Sequence, residues 1–256
     1  MKQVLIKATN VSVNFQVGHD TLPAIRNANL DIVENSFNII YGPSGSGKST
    51  LLNILSGLQK PSTGQVIVRG ENIYDYSSDE LAYFRANHVG TVYQTNYWIK
   101  SLNVLENISV PLYFLGYSRS SAAKMAKLSL ERVGMSVYAQ KYPYYLSGGE
   151  QQRLSLARAL STNPLFILAD EPTGNLDSKN GDRVMELLQN CQDEYRSTII
   201  LVTHNLEYLS LADTLMEIED GIVTQINDDT QRVTERILSD LKERLLHMRK
   251  YGTANN

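Results

Sequence analysis

Two short stretches of the sequence combine residue types that bind phosphate and metal. The first, GPSGSGKST, follows the pattern G-x-x-x-x-G-K-[ST], with an apolar run before it and a helical apolar pattern after it. Glycines in such a loop let backbone N–H groups turn toward phosphates, and the next helix directs its positive end at them. Lys48 supplies a charge near the β and γ phosphates, and Ser49 a hydroxyl for Mg²⁺. We therefore expect a nucleoside triphosphate to be bound by Gly42, Pro43, Ser44, Gly45, Ser46, Gly47, Lys48, Ser49 and Thr50.

The second stretch, LFILADEP, ends an apolar run with two carboxylates. A buried strand ending in Asp170 places a carboxylate at the carboxyl edge of the sheet, where ligands of α/β proteins bind. Asp170 is then suited to hold Mg²⁺ through water. Glu171 lies beyond the strand end, where it can reach an attacking water, which suits a general base. Two acids could also be an ordinary solvated strand end, but together with the phosphate loop they indicate hydrolysis.

A third stretch, LSGGEQQRLSLARAL, resembles another phosphate-binding loop that opens onto a helix but has no lysine. Ser147 and Glu150 fit a capping box at the start of an amphipathic helix. A capping box does not require Gly148 and Gly149, whereas a γ-phosphate approaching the helix N-terminus would. One chain need not close both anion sites on one nucleotide, but two chains placed head to tail can do so.

The elements that must position these residues are those of an α/β fold. The runs FNIIY (37–41), LFILA (165–169) and TIILVT (198–203) are apolar on both faces, which is typical of central parallel strands. The alternating stretches VSVNFQVG, ANLDIVEN and GQVIVRGENI predict an antiparallel layer near the N-terminus. The sequence thus predicts a P-loop NTPase core with a mostly parallel sheet, an N-terminal antiparallel β layer and an inserted helical subdomain.

The helical subdomain is expected at about 94–164, since helical patterns surround 122–133 and 149–160. The main domain is predicted to span 1–228, and 229–256 to form a C-terminal amphipathic helix and tail. In that tail, Val233, Ile237, Leu241 and Leu245 recur four residues apart. Packing on its own domain is favoured for this helix over a dimerisation or regulatory role.

Composition limits the classes of partner. The 24 basic and 27 acidic residues give a formal charge of -3, so no overall field attracts the chain to nucleic acid. No stretch approaches the ~18 apolar residues of a membrane span, so we expect no direct membrane insertion. The single cysteine, Cys191, excludes a disulfide framework and indicates a reducing cytosol.

In order and spacing, the three motifs resemble those of ATP-binding-cassette (ABC) ATPases, and the resemblance covers roughly residues 3 to 225. By position, it implies that Gln94 senses Mg²⁺ and links the core to the helical insertion, and that His204 contacts the γ-phosphate. Asp177 corresponds to the loop that communicates across the dimer. Phe15 corresponds to the aromatic residue that stacks on adenine, where the family more often has Tyr.

The resemblance implies the cofactors ATP and Mg²⁺ and a homodimer in which each ATP lies between one chain's phosphate loop and the other's LSGGE. The strings LADEPTGNLDS, GLQKPSTGQV and NVLENISVPL are most similar to the branch of the macrolide-exporter (MacB), lipoprotein-release (LolD) and cell-division (FtsE) ATPases. This branch implies an integral membrane permease partner that the ATPase drives, by transport or by mechanotransmission. The chain would then be cytoplasmic, peripheral on the inner face of the membrane through that partner.

A soluble, non-transport ABC ATPase is the alternative. Chromosome-maintenance heads separate the phosphate loop and the signature, which here is LSGGE (146–150), by long coiled-coil arms, for which 42–147 is too short. Translation-factor cassettes carry two domains per chain, and this chain has room for one. A degenerate cassette that only binds is opposed by Lys48, Asp170, Glu171 and His204 together.

The aromatic residues after Gln94 have two interpretations. They are Tyr97, Trp98, Tyr113, Phe114 and Tyr117. As the hydrophobic core of the helical insertion they need no special explanation, and this interpretation is favoured. The resemblance instead favours a groove over 94–117 that receives a cytoplasmic helix of the membrane partner.

Overall fold

The computed structural model describes residues 3–227 and 230–239, which fold around two β-sheets. The strands are β1 Val4–Val17, β2 Asp20–Val33, β3 Phe37–Tyr41, β4 Thr63–Val68, β5 Glu71–Asn72, β6 Val89–Tyr93, β7 Phe166–Asp170, β8 Thr198–Val202, β9 Thr214–Glu219 and β10 Ile222–Ile226. The α-helices are α1 Lys48–Leu55, α2 Ser78–His88, α3 Val104–Phe114, α4 Arg119–Arg132, α5 Gly148–Leu160 and α6 Ser178–Asp193. Short 3₁₀ helices occupy Ile73–Asp75, Ser136–Tyr138, Pro143–Tyr145 and Leu206–Leu211.

The larger sheet has six strands in the order β10-β9-β3-β8-β7-β6. The strands from β9 to β6 are parallel, and β10 pairs antiparallel with β9 at one edge. Every residue of β3 and β8 is buried, as expected for apolar strands covered on both faces. The three predicted central strands are therefore confirmed, and β6, β9 and β10 add strands that the sequence analysis did not identify.

The smaller sheet is antiparallel, with the order β2-β1-β4-β5, and it confirms the predicted N-terminal β layer. β1 and β2 form a long hairpin of 14 residues on each side. The side chain of Gln225 in β10 joins the two sheets, because it accepts a hydrogen bond from the backbone N–H of Asp31 and donates one to its carbonyl, both at 2.8 Å. This contact ties the hairpin to the edge of the larger sheet.

Between β6 and β7, the helices α3, α4 and α5 form a helical layer, in the part of the chain where an insertion was expected. Their buried residues, among them Ile108, Leu130 and Leu154, share one hydrophobic cluster with strand residues such as Ile167. The layer is therefore packed directly onto one face of the six-stranded sheet. A second cluster on the other face combines α1 with the antiparallel sheet.

Cys191 lies in α6, inside the first cluster, where its side chain is 2% exposed. Burial raises the pKa of this thiol to about 12. A buried thiol with a raised pKa is chemically unreactive, which suits a structural role for Cys191.

The start of the C-terminal helix lies within the described chain, since residues 230–239 are helical. Val233 and Ile237 pack against the first hydrophobic cluster, and Thr234 is buried. This arrangement agrees with packing of the helix on its own domain. Leu241 and Leu245, the other two members of the apolar stripe, lie outside the described residues, and the division at residue 228 stays a prediction.

Candidate nucleotide-binding and catalytic site

A cleft of about 500 Å³ lies at the carboxyl ends of the parallel strands, beside the predicted phosphate loop. It is lined by the loop, by the two carboxylates at the end of β7 and by residues of the β1–β2 hairpin. The lining residues are Phe15, Leu22, Pro23, Ala24, Ser44, Gly45, Gly47, Lys48, Ser49, Thr50, Asp170, Glu171 and Val202. The structure thus brings together the predicted phosphate, metal and base residues at one edge of the sheet.

The phosphate loop needs glycine for close packing at two positions. Gly42 has φ 152°, and a Cβ atom there would lie 2.1 Å from the carbonyl oxygen of Ile218. Gly47 has φ 110°, and a Cβ atom there would lie 2.5 Å from the carbonyl oxygen of Ala24. No described atom lies within 4 Å of a Cβ placed on Gly45, which faces the open cleft. The loop therefore packs closely against β9 at Gly42 and against β2 at Gly47, and its middle is accessible to a ligand.

Lys48 begins helix α1, and its ammonium group folds back over the loop. Nζ donates hydrogen bonds to the carbonyl oxygens of Gly42 at 3.0 Å and Pro43 at 2.7 Å. These bonds hold a positive charge inside the curve of the loop, where phosphate oxygens would lie. The helix behind it ends at Leu55, and its buried residues are Leu51, Leu52, Ile54 and Leu55.

Ser49 and Asp170 meet at the base of the cleft, where the serine hydroxyl donates a hydrogen bond to Oδ2 of Asp170 at 3.3 Å. Burial raises the pKa of the Asp170 carboxyl, and the Glu171 charge adds to this, while the Ser49 hydroxyl and Lys48 oppose it. Among the described residues, no group of three or more His, Cys, Asp or Glu side chains could hold a metal ion. Mg²⁺ in nucleotide sites needs only one or two protein oxygens, since phosphates and waters complete its shell. Ser49 and Asp170 therefore fit Mg²⁺.

Glu171 and His204 form a close pair at the rim of the cleft. Oε2 of Glu171 lies 2.6 Å from Nδ1 of His204 and accepts a hydrogen bond from the His204 backbone N–H at 3.4 Å. Glu171 adopts a left-handed backbone conformation with φ 48°, and its own N–H donates to the carbonyl of Val202 at 3.0 Å. A non-glycine residue pays strain for such a conformation, which is typical of functional positions. The arrangement fixes the carboxylate beside the metal ligands without directing it onto them.

Phe15 provides the apolar end of the cleft and is 44% exposed. It pairs with Leu22 across the β1–β2 hairpin, and Pro23 and Ala24 continue the same wall. An aromatic ring with an exposed face beside a phosphate loop suits stacking of a nucleobase. Leu22, Pro23 and Ala24 were not predicted to line the site. Pairing VSVNF with TLPA as a hairpin would have placed them beside Phe15.

Gln94 and Asp177 do not line the cleft, but both are associated with the loop after β7, which Gln94 contacts and which Asp177 ends. Nε2 of Gln94 donates to the side-chain oxygen of Asn175 at 3.3 Å, and a Cβ atom on Gly174 would come within 2.7 Å of it. Asp177 caps helix α6 by accepting a hydrogen bond from the backbone N–H of Asn180 at 2.9 Å. Direct contacts of Gln94 and Asp177 with a nucleotide or Mg²⁺ stay predictions.

The signature stretch begins helix α5, with Ser147 as N-cap and Glu150 as its capping-box partner, as expected. Ser147 and Gly148 are exposed and do not line the cleft formed by the described residues of the same chain. Gly149 is buried, and a Cβ atom there would lie 2.6 Å from Oδ1 and 2.9 Å from Cβ of Asn180. The argument that both glycines need a phosphate to explain them is therefore wrong for Gly149, because close packing of α5 on α6 requires it.

Gly149→Ala is expected to lower the free energy of unfolding by about 1–3 kcal/mol relative to Gly148→Ala, since the added methyl overpacks the α5–α6 contact. Asn180 cannot turn aside freely, because its Nδ2 donates to Asp177 at 2.8 Å. A Cβ atom on Gly148 meets only Leu176 Cδ2, at an ordinary 3.5 Å. Urea unfolding of both variants measures the difference, and equal midpoints would show that the contact is not tight.

The favoured interpretation of the aromatic residues after Gln94 is wrong for four of the five. Phe114 is 82% and Tyr97 is 71% exposed, and Tyr113 and Tyr117 are also exposed. Trp98 alone among them packs against the hydrophobic core, with the Arg158 guanidinium 4.5 Å from its ring centre. The other four side chains are exposed, on α3 and on the loops that flank it.

Comparison with known proteins identifies the family. Residues 25–174 match the family model described as ABC transporter. The chain belongs to the ABC transporter ATP-binding family. An ABC transporter ATP-binding protein of Methanocaldococcus jannaschii is 43% identical over 222 residues, covering 87% of this chain and 99% of the relative. The lipoprotein-releasing system ATP-binding protein LolD of Shewanella is 36% identical over 231 residues, covering 90% and 100%. LolD, with a Bacillus subtilis relative named YtrE, supports the predicted branch.

A solved structure of a dimeric ABC transporter cassette, MJ0796 of Methanocaldococcus jannaschii, matches this chain with a TM-score of 0.79 and 39% identity. The match covers 87% of this chain and 98% of the cassette. A second structure of that cassette is described as a dimeric post-hydrolysis state bound to ADP and Pi. The expected fold class is thereby confirmed, and so is the assignment of the chain to the ABC ATPases that bind ATP.

Proposed function

We propose that this chain is the ATP-hydrolysing subunit of an ABC transporter or mechanotransmission complex, which dimerises head to tail on ATP and Mg²⁺ and drives an integral membrane permease. The main support is that the two phosphate-binding features of one chain lie in separate places. The cleft holds the phosphate loop and the carboxylates, while exposed Ser147 and Gly148 open another helix N-terminus outside it. A second copy placed head to tail would bring its signature to each cleft, as the dimeric state of the related cassette suggests.

Within each site, the chain's own residues have separate tasks. The loop amides and Lys48 bind the phosphates, and Phe15 stacks on the base. Ser49 and Asp170 would hold Mg²⁺, which supplies charge neutralisation at the phosphates. Glu171 accepts the proton of the attacking water, and His204 holds its carboxylate in place at 2.6 Å.

The exposed aromatic residues Tyr97, Tyr113, Phe114 and Tyr117 supply a surface for the permease partner. Exposed apolar clusters of this kind mark interaction sites. They lie on α3 and its flanking loops, in the 94–117 segment that begins at Gln94. Gln94 in turn donates a hydrogen bond to Asn175 in the loop after β7, so the segment that carries these aromatic residues also contacts the loop that follows the two carboxylates.

In the part of the chain that the structure describes, no helix has the length and apolar character needed to cross a bilayer. Attachment to the membrane through the permease is therefore part of the proposal, as is a cytoplasmic location on its inner face. The relative named LolD belongs to a lipoprotein-releasing system, which supports a membrane partner over the soluble alternative.

Affinity purification of the full chain from membranes with ATP and Mg²⁺ tests the proposal. The Glu171→Gln variant is expected to retain an integral membrane protein, which mass spectrometry identifies. Adding Phe114→Ser and Tyr117→Ser together should lower the recovery of this membrane protein by about tenfold or more, because buried aromatic contacts dominate such interfaces. Adding Tyr83→Ser, which removes an exposed aromatic side chain from α2 instead, is the control. A soluble complex without a membrane protein would favour the alternative function instead.

A further inference from the structure

The N-terminus of α5 already holds an anion of its own. Oε2 of Glu150 accepts hydrogen bonds from the backbone N–H of Ser147 at 2.8 Å and from its hydroxyl at 2.7 Å. The Tyr138 phenol also donates to this carboxylate, and together with the Ser147 bonds it lowers the pKa of Glu150 to about 2. The carboxylate is therefore charged and held in place at physiological pH.

This contact determines what Ser147 can offer to a phosphate. Its hydroxyl proton is directed at Glu150, and its oxygen accepts the Glu150 backbone N–H at 3.4 Å. A phosphate oxygen needs donors, and the serine provides one only if its hydroxyl turns away from Glu150. Of the first backbone N–H groups of the helix, that of Glu150 is already bonded to Ser147 Oγ, and those of Gly148 and Gly149 remain as donors to a phosphate.

The distance between the Glu150 carboxylate and a phosphate bound at Ser147 has an upper bound. A phosphate oxygen at hydrogen-bonding distance from Ser147 Oγ lies within about 5.4 Å of the Glu150 oxygen, which is itself 2.7 Å from that Oγ. Two negative charges at this separation repel each other substantially, even near a protein surface. The repulsion arises only when the γ-phosphate of the opposite chain's ATP arrives.

We propose that Glu150 is a built-in competing anion, whose charge weakens the ATP-closed dimer and so favours its reopening. The inference rests on the proposed function, since it requires the signature of one chain to meet the nucleotide of the other. It assigns to Glu150 a role opposite to the nucleotide binding expected from its position in the signature. Glutamine in the same position would keep the capping box and remove the charge.

The chain contains a structural twin that separates the charge effect from the capping effect. At the start of α2, Oε2 of Glu80 accepts the Ser77 backbone N–H at 2.8 Å and the Ser77 hydroxyl at 2.7 Å. These are the distances found at Ser147 and Glu150. Neither Ser77 nor Glu80 is among the described residues that line the nucleotide cleft. Glu80→Gln is therefore the matched control for Glu150→Gln.

The test measures dimerisation of the full chain by light scattering at saturating ATP, in a Glu171→Gln background that prevents hydrolysis. Adding Glu150→Gln is expected to lower the dimer dissociation constant by about tenfold or more, since two signatures contribute per dimer. The gain should shrink as salt rises from low to high concentration, because salt screens repulsion between exposed charges. Adding Glu80→Gln should leave the constant unchanged.

The outcomes separate this inference from the proposed function. The parent is the chain with Glu171→Gln alone. If the parent dimerises on ATP and the chain with Glu150→Gln added dimerises equally or more weakly, the inference is overturned and the proposed function is not. If the parent stays monomeric while the Glu150→Gln chain dimerises, the inference is supported in its strongest form. If both stay monomeric with ATP bound, the head-to-tail dimer and the inference fall together.

Discussion

Replacing Glu171 by glutamine is expected to lower the ATP turnover rate by about 10²–10⁴-fold, while ATP binding and ATP-dependent dimerisation persist. Glutamine keeps the size of the side chain and can still contact Nδ1 of His204, which lies 2.6 Å from the carboxylate. It cannot accept the proton of the attacking water. Phosphate release measures turnover, and light scattering with ATP measures the dimer, which should accumulate.

The matched control is Glu207→Gln, since Glu207 is an exposed carboxylate three residues after His204. It should turn over ATP at the wild-type rate. Turnover of the Glu171→Gln variant close to wild type would remove Glu171 as the general base. Loss of ATP binding in that variant would instead show that Glu171 serves the fold of the cleft.

The second large effect is expected for Ser147→Trp, which should abolish the ATP-dependent dimer and with it turnover. Ser147 is exposed at the N-terminus of α5, so an indole there would occupy the space that the opposite chain's γ-phosphate needs. Binding of ATP to the single chain should be unchanged, because Ser147 does not line the described cleft of its own chain. Light scattering measures the dimer, and calorimetry measures ATP affinity.

The substitution also removes a helix cap, which costs about 0.5–2 kcal/mol in similar cases. Ser77→Trp removes the equivalent cap from α2, where Ser77 makes the same capping box with Glu80. Its dimerisation should match that of the wild type. A normal ATP-dependent dimer of the Ser147→Trp chain would refute the head-to-tail arrangement for this protein.

The parts of the fold that the sequence predicted are those with an unambiguous local signal. β3, β7 and β8 are short runs apolar on both faces, which is typical of strands in the middle of a covered sheet. β6 was missed because VGTVY, at the sheet edge, alternates in burial and contains glycine. β9 and β10 were missed because polar residues interrupt their apolar runs, Glu217 and Glu219 in β9 and Thr224 and Gln225 in β10.

The site shows a similar division between local and long-range information. The phosphate loop and Asp170 were predictable, since motif and flanking strand define their place. The 2.6 Å contact between Glu171 and His204 joins residues 33 apart, and the wall of Phe15 and Leu22 depends on hairpin register. The aromatic residues of 94–117 fit a core by composition, but composition does not say which face of α3 packs inward. Gly149 likewise depends on how closely α6 approaches.

Cys191 makes the native chain a convenient framework for spectroscopy. Its thiol is enclosed by the core and its pKa is raised to about 12, so it stays protonated and shielded from maleimide reagents in the folded state. Because it is the only cysteine in the sequence, a single cysteine introduced at an exposed position would be the one reactive thiol. Spin or fluorescent labels placed in this way could report distances between the two copies during ATP binding, without removal of the natural residue.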